Sequence, residues 1–149
     1  MQRLRSASRA FVALLFVSVG ALHFTHTGLF VHLMPPYLPL HREAVLVSGF
    51  FEIAGGVGLL WRPTRRAAGL GLLLLLASVY IVNIEMALHP RPMPDGTIVP
   101  PWAAWARLPL QFVLAALVAW VARDQGPTRD GKNRRNLPAS SSSPADSSR

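Results

Sequence analysis

Four long apolar stretches dominate the sequence, and they restrict the chain to a membrane-embedded fold. They cover about residues 10–27, 44–61, 67–88 and 102–121 of a chain of 149 residues. A helix needs about 20 apolar residues to cross about 30 Å of hydrocarbon, because each residue adds about 1.5 Å. Only 15% of the residues are charged, against about 25% in soluble domains. We therefore predict an all-α fold, a four-helix transmembrane bundle.

The basic residues are concentrated on one side of the predicted spans. Twelve of the fifteen lie before the first span, in the turn at residues 62–66 and in the tail at residues 123–149, and the others are Arg42, Arg91 and Arg107. Cytoplasmic loops carry the excess of Lys and Arg, so both termini are predicted to be cytoplasmic. Because the net charge of +8 is spread around the spans, nucleic acid is not a predicted partner.

The chain divides into three predicted segments. A basic cytoplasmic tail at residues 1–9 precedes the membrane domain at residues 10–122, and a basic, Ser-rich tail follows at residues 123–149. This last tail is expected to be disordered, because it has almost no apolar surface to bury. The apolar segment at residues 28–41 is expected to cover the outer end of the bundle. The start also resembles a signal peptide cleaved near Ala21, but cleavage would break the charge alternation, so retention is favoured.

Glu52 lies near the middle of the second predicted span. An acidic residue at the centre of a membrane helix costs roughly 2.5–3.5 kcal/mol, so Glu52 needs a partner or a use. Gly49 and Gly56 share its helical face, and small residues there let another helix approach closely. Gly55 and Gly58 are further predicted packing positions.

The remaining polar residues of the spans lie in the predicted outer half, which indicates a polar cavity below the outer surface. Arg107 and Gln111 are four residues apart and share a helical face. Asn83 and Glu85 are two residues apart and point to different sides. The candidate polar site consists of His23, Glu52, Asn83, Glu85, Arg107 and Gln111.

These residues leave several roles open. Arg107 is predicted to neutralise Glu52, and that ion pair is either purely structural or part of a site. His23 either bonds a backbone carbonyl of a neighbouring helix or belongs to the site, and Glu85 is expected to be solvated. His23, His26 and Glu52 together are a weak signal for metal, and no metal is predicted. The absence of cysteine excludes a thiol redox centre or a Cys-ligated metal within this chain.

Five motifs occur in order along the membrane domain. They are Gly20-Ala-Leu-His-Phe24, Met34-Pro-Pro-Tyr-Leu-Pro39, Ser48-Gly-Phe-Phe-Glu-Ile-Ala-Gly-Gly-Val-Gly-Leu59, Asn83-Ile-Glu-Met86 and Arg107-Leu-Pro-Leu-Gln111. Together they resemble the DoxX family over about residues 10–122. The resemblance implies a four-helix protein of the bacterial inner membrane. Some members of the wider group are described as quinone-linked oxidoreductase subunits, and many have no assigned activity, so no catalytic role is carried over.

Two functions follow as predictions. The first is an accessory, quinone-interacting subunit of a membrane redox complex, in which His23 donates to the headgroup, Glu52 relays protons and a redox partner protein handles the electrons. Its apolar walls would come from Phe24, Phe50, Phe51 and Tyr80. The second is a non-enzymatic carrier or assembly factor that binds a lipid or small apolar solute. An independent enzyme is not predicted, and a homo-oligomer is compatible with either function.

Overall fold

The computed structural model describes residues 2–93, 96 and 99–123, and five α-helices lie within them. Four of the five are long and apolar enough to cross a membrane. The all-α class and the four candidate spans are thereby confirmed, whereas the predicted disordered tail lies, from residue 124 onwards, outside the described residues. The helices are α1 (Gln2–Thr25), α2 (Thr27–Leu33), α3 (His41–Leu60), α4 (Arg65–Leu88) and α5 (Pro101–Ala122).

The outward faces of the long helices carry large apolar side chains. Five of these side chains are each more than 60% exposed: Leu70 and Leu74 on α4, and Leu110, Phe112 and Val113 on α5. In water such a surface would form an apolar patch far larger than soluble monomers usually carry. Lipid tails would cover it in a bilayer, so these faces indicate a membrane protein.

Helix α1 begins earlier than the span predicted from residue 10, and its arginines explain the difference. Arg5 donates to the backbone oxygen of Trp120 and lies 5.4 Å from the centre of its ring. Arg9 Nε donates to Val121 O at 3.3 Å. The last four carbonyls of a helix have no partner within it, so these arginines cap α5. The segment predicted as a tail is therefore helical from Gln2 onwards.

The turn between α3 and α4 is capped in the same way. Arg65 is buried, and its Nε donates to Leu59 O at 3.0 Å. Thr64 precedes α4 at the predicted N-cap position, but its hydroxyl donates backwards to Gly58 O at 2.9 Å and does not cap α4. The ends of α3 and α5 thus meet basic side chains at one end of the bundle, the basic end.

Helices α1 and α3 pack closely and antiparallel through glycines. A Cβ atom at Gly56 would lie 2.8 Å from Ala13 O, and one at Gly20 would lie 2.7 Å from Gly49 O. A Cβ at Gly49 would lie 2.6 Å from His23 Cβ. The predicted small face of α3 therefore contacts α1, because small residues let two helix backbones approach.

The other two predicted packing glycines face α4. A Cβ at Gly58 would lie 2.8 Å from Ala68 Cβ, and one at Gly55 would lie 2.6 Å from Leu72 Cγ. Both positions are therefore in close contact with α4. At Gly71, a Cβ would meet no described atom within 4 Å.

Residues between α1 and α3 cover the other end of the bundle. Helix α2 packs mainly against α3, and the Phe30 ring stacks on His23 with centroids 3.9 Å apart. Arg91 Nη1 donates to Met34 O at 3.0 Å, which ties this segment to the chain after α4. The short helix was not predicted, although the covering position of the segment was.

The main apolar core lies towards the basic end. Its fully buried members include Val12 of α1, Leu59 of α3, Leu72 of α4 and Val118 of α5. All four long helices thus meet in an apolar layer, which leaves their polar residues in the other half, as predicted.

Alanine substitutions at two glycines separate the effect of crowding from that of helix propensity. Gly56→Ala should destabilise the protein by about 1–3 kcal/mol, because the new methyl group would collide with a backbone oxygen that cannot rotate away. Gly71→Ala gains the same helix propensity without a collision, so it should be neutral or stabilising. Thermal unfolding in detergent measures both variants, and equal shifts would contradict the close packing of α1 and α3.

Candidate functional site

His23 and Glu52 form a buried pair between α1 and α3. His23 Nδ1 lies 3.3 Å from Glu52 Oε2 and 2.9 Å from Val19 O. A carbonyl oxygen only accepts, so Nδ1 carries the hydrogen and donates it to Val19 O. Among the described residues Glu52 Oε2 has no hydrogen-bond partner. His23 therefore contacts the carboxylate without satisfying it.

The close approach of α1 and α3 produces this pair. Gly20 precedes His23 by three residues and Gly49 precedes Glu52 by three, so each glycine lies one turn from a polar residue on the same helical face. The glycines oppose each other across the interface, which brings the two polar side chains together. The stacked ring of Phe30 holds the His23 imidazole from the α2 side.

Next to this pair, residues of α1, α3, α4 and α5 line an open-sided cavity of about 260 Å³, here termed the bundle cavity. A single water needs roughly 10–15 Å³, so the space is large enough for a group of several atoms. Four of the six predicted site residues line the cavity: Glu52, Asn83, Arg107 and Gln111. The remaining lining residues are Leu15, Phe16, Val19, Leu76, Val79, Leu110 and Leu114.

Asn83 and Gln111 form a fixed polar part of the cavity wall. Asn83 Nδ2 donates to Gln111 Oε1 at 2.7 Å, and Gln111 Nε2 donates to Leu76 O. These bonds join α4 to α5, and Gln111 is buried. Each amide thus uses one N–H group in bonds that link α4 to α5.

Arg107 lines the bundle cavity but does not pair with Glu52. Its Nη1 donates to Met86 Sδ at 3.5 Å, and the described residues contain no ion pair within 4.0 Å between Arg107 and Glu52. The predicted Glu52–Arg107 ion pair is therefore not formed in this structure. Arg107 is an exposed residue and reaches towards the end of α4, whereas Glu52 turns towards His23.

Glu85 lies outside the bundle cavity. Its Oε1 is 3.2 Å from His89 Nδ1 and 3.6 Å from Arg91 Nη2, and it lines a separate small pocket beside α2. Asn83 and Glu85 thus point to different sides, as their spacing predicts. Glu85 has charged partners and does not depend on solvation alone, contrary to expectation.

The aromatic wall predicted for a quinone is not built around this cavity. Phe50 and Phe51 are 61% and 55% exposed on the outer face of α3. Phe24 is also exposed, and Tyr80 makes an edge contact with the Phe112 ring, with centroids 5.2 Å apart. The aromatic residue that does line the cavity is Phe16.

Several functional contacts were not predicted from the sequence. The structure shows that His23 bonds Val19 O and stacks on Phe30. It also shows that Gly20 is the packing position one turn before His23. The repeated Gly-x-x-polar spacing, Gly20 to His23 and Gly49 to Glu52, is the sequence signal that could have revealed the pair.

The described residues form an all-helical protein with four candidate membrane spans and a buried His–carboxylate pair beside a cavity. Residues 12–123 match the family model described as Domain of unknown function (DUF8561). The match covers most of the chain, so the protein belongs to the DUF8561 family. Comparison with curated proteins and with solved structures found no match. The resemblance to the DoxX family stays a prediction.

Double-mutant cycles test whether Glu52 depends on His23 or on Arg107. His23→Gln and Glu52→Gln should be coupled by about 0.5–3 kcal/mol, because the two side chains are in contact. The matched cycle of Arg107→Gln with Glu52→Gln should be additive within about 0.5 kcal/mol. Unfolding free energies of the single and double variants give both couplings, and a larger coupling to Arg107 would overturn the assignment.

Proposed function

We propose that this protein binds an amphiphilic molecule of the bilayer in the bundle cavity. The observation that carries the proposal is the composition of the cavity wall, in which four polar side chains adjoin a continuous apolar surface. Binding sites for small molecules are typically apolar with a few placed polar groups. An amphiphile matches both parts of this wall, because its headgroup meets the polar residues while its tail meets the leucines.

The packing of the helices supports entry from the side. Helix α1 packs mainly on α3 and α5 mainly on α4, while α1 and α5 contact each other much less. Leu15 of α1 and Leu110 of α5 line the cavity from these two helices, and Leu110 is 64% exposed. A molecule can therefore keep its tail among lipids while its headgroup lies between the helices.

One form of this function is the quinone-interacting accessory subunit that the DoxX resemblance implies. A quinone presents two carbonyl oxygens, which accept hydrogen bonds. Arg107 carries donors at the cavity wall, and Asn83 and Gln111 lie beside it. In this form the protein holds the quinone and a redox partner protein exchanges electrons with it.

The other form is a non-enzymatic carrier or assembly factor that holds a lipid. A specific observation favours it: Glu52 and Arg107 bring opposite charges to one cavity without pairing with each other. Charged groups inside a membrane normally pair with one another or with a ligand. A lipid headgroup carries charges that meet them, whereas an uncharged quinone does not.

We further propose that the protein lies in a bacterial inner membrane with both termini in the cytoplasm. The support is the excess of Lys and Arg at the basic end. The membrane and its lipids are then the constant partners of the chain.

A topology test follows from this orientation. Reporter fusions at Gly96, between α4 and α5, and after Arg123 should report opposite sides of the membrane, with the Arg123 fusion cytoplasmic. An alkaline phosphatase and a fluorescent reporter at each position provide paired readouts. The same side for both positions would contradict the number of spans.

Retention of a bound amphiphile tests the proposed function itself. The purified full chain should carry an amphiphile detectable by native mass spectrometry. Leu114→Trp should lower its occupancy by about tenfold, a loss equivalent to about 1.4 kcal/mol, because the larger side chain fills the cavity that Leu114 lines.

Val113→Trp is the matched control, since Val113 is the neighbouring residue and is 64% exposed on the outer face. It should leave occupancy unchanged. If the wild-type protein retains no amphiphile, or if both variants lose it equally, the bundle cavity is not the binding site.

A further inference from the structure

We infer that the molecule held in the bundle cavity is a zwitterionic aminophospholipid, whose ammonium group binds Glu52 and whose phosphate binds Arg107. The inference rests on the proposed function and names its ligand class. It rests on two residues of opposite charge, Glu52 and Arg107. Both line the cavity, and neither has an adequate partner among the described residues.

Glu52 requires a donor from outside the described chain. The residue is 7% exposed, and its buried Oε2 accepts no hydrogen bond from a described residue. His23 Nδ1 lies 3.3 Å from Glu52 Oε2, but its hydrogen is donated to Val19 O. A buried charge without hydrogen bonds is strongly unfavourable. A headgroup with several N–H donors and a positive charge supplies what is missing.

Arg107 requires an acceptor. The partner of its Nη1 is Met86 Sδ at 3.5 Å, and a thioether sulfur is only a weak acceptor. The remaining N–H groups of this guanidinium have no acceptor among the described residues. Guanidinium groups bind phosphate through two parallel hydrogen bonds, so the phosphate of a lipid is the complementary group.

The primary ammonium is the part of the headgroup that separates this ligand from the alternatives. A phosphatidylcholine has the same charges but no N–H group to donate. An anionic lipid satisfies Arg107 and repels Glu52. A quinone offers acceptors only, so it leaves Glu52 without a donor.

In this arrangement the headgroup points into the bundle, with its ammonium deeper than its phosphate, which is the reverse of their order in a lipid leaflet. Arg107 lies in the second turn of α5, nearer the end of the bundle, and Glu52 lies near the middle of α3. Asn83 and Gln111 bond to each other, so they leave the two charges to the headgroup. The acyl chains leave between α1 and α5, past Leu15 and Leu110.

A series of lipids that differ in N–H donors tests the inference on the unmodified protein. Phosphatidylethanolamine, its N-methyl and N,N-dimethyl derivatives and phosphatidylcholine, all with the same acyl chains, compete for the full chain in mixed vesicles. Phosphatidylethanolamine should be retained about tenfold over phosphatidylcholine, with the derivatives in between. Soluble phosphoethanolamine should not displace it, because the tail supplies part of the binding.

The outcomes separate the inference from the proposed function. Equal retention of phosphatidylethanolamine and phosphatidylcholine overturns the ammonium assignment but leaves amphiphile binding intact. Displacement by a quinone or an anionic lipid at equal concentration, or by soluble phosphoethanolamine, overturns the inference in the same way. Retention of no lipid and no quinone overturns the proposed function as well.

Two variants locate the ammonium. Glu52→Gln removes the charge with little change in shape, and it should reduce the preference for phosphatidylethanolamine to about one. Glu85→Gln is the matched control, because Glu85 pairs with His89 and Arg91 outside the cavity; the preference should persist. A preference that survives Glu52→Gln in the folded protein overturns the assignment, and the methylated series remains decisive if that variant does not fold.

Discussion

The contact of α1 with α3 is the constraint on which the rest of the structure depends. Two opposed glycines, Gly20 and Gly49, remove the side chains that would hold the helices apart. Because each has a polar residue one turn further along, the contact places His23 beside Glu52. The same contact turns Glu52 towards α1 and away from Arg107, so both charges are left facing the bundle cavity without pairing.

The polar groups in the two halves of the bundle find their hydrogen-bond partners in different ways. At the basic end Arg5, Arg9 and Arg65 bond the carbonyls at the ends of α5 and α3, and an apolar core fills the space beside them. In the other half, Asn83 and Gln111 satisfy each other. Among the described residues that line the cavity, Glu52 Oε2 has no hydrogen-bond partner and Arg107 has only a thioether sulfur, and this imbalance makes the cavity a candidate site.

The sequence predicted the helices well and the contacts between side chains less well. Length and hydropathy determine the spans, because any bilayer requires about 20 apolar residues. Depth and helical phase placed Glu52, Arg107, Asn83 and Gln111 in one half of the bundle, and they line one cavity. The partner of Glu52 could not be chosen in this way, because Arg107 and His23 lie at similar depth and the choice depends on how close the helix backbones approach. The early start of α1 was missed because the apolar stretch begins only at residue 10, whereas Arg5 and Arg9 lie within the helix and donate to carbonyl oxygens of α5.

The bond from Arg5 to Trp120 joins residues 115 positions apart in the chain. It therefore links the first and last long helices and closes the bundle. During synthesis α1, α3 and α4 enter the membrane before α5 exists. Until the last helix docks, the polar side chains of the earlier helices lack one wall and face lipid. The wall of the cavity is therefore complete only when α5 has docked, because α5 supplies Arg107, Leu110, Gln111 and Leu114 to it.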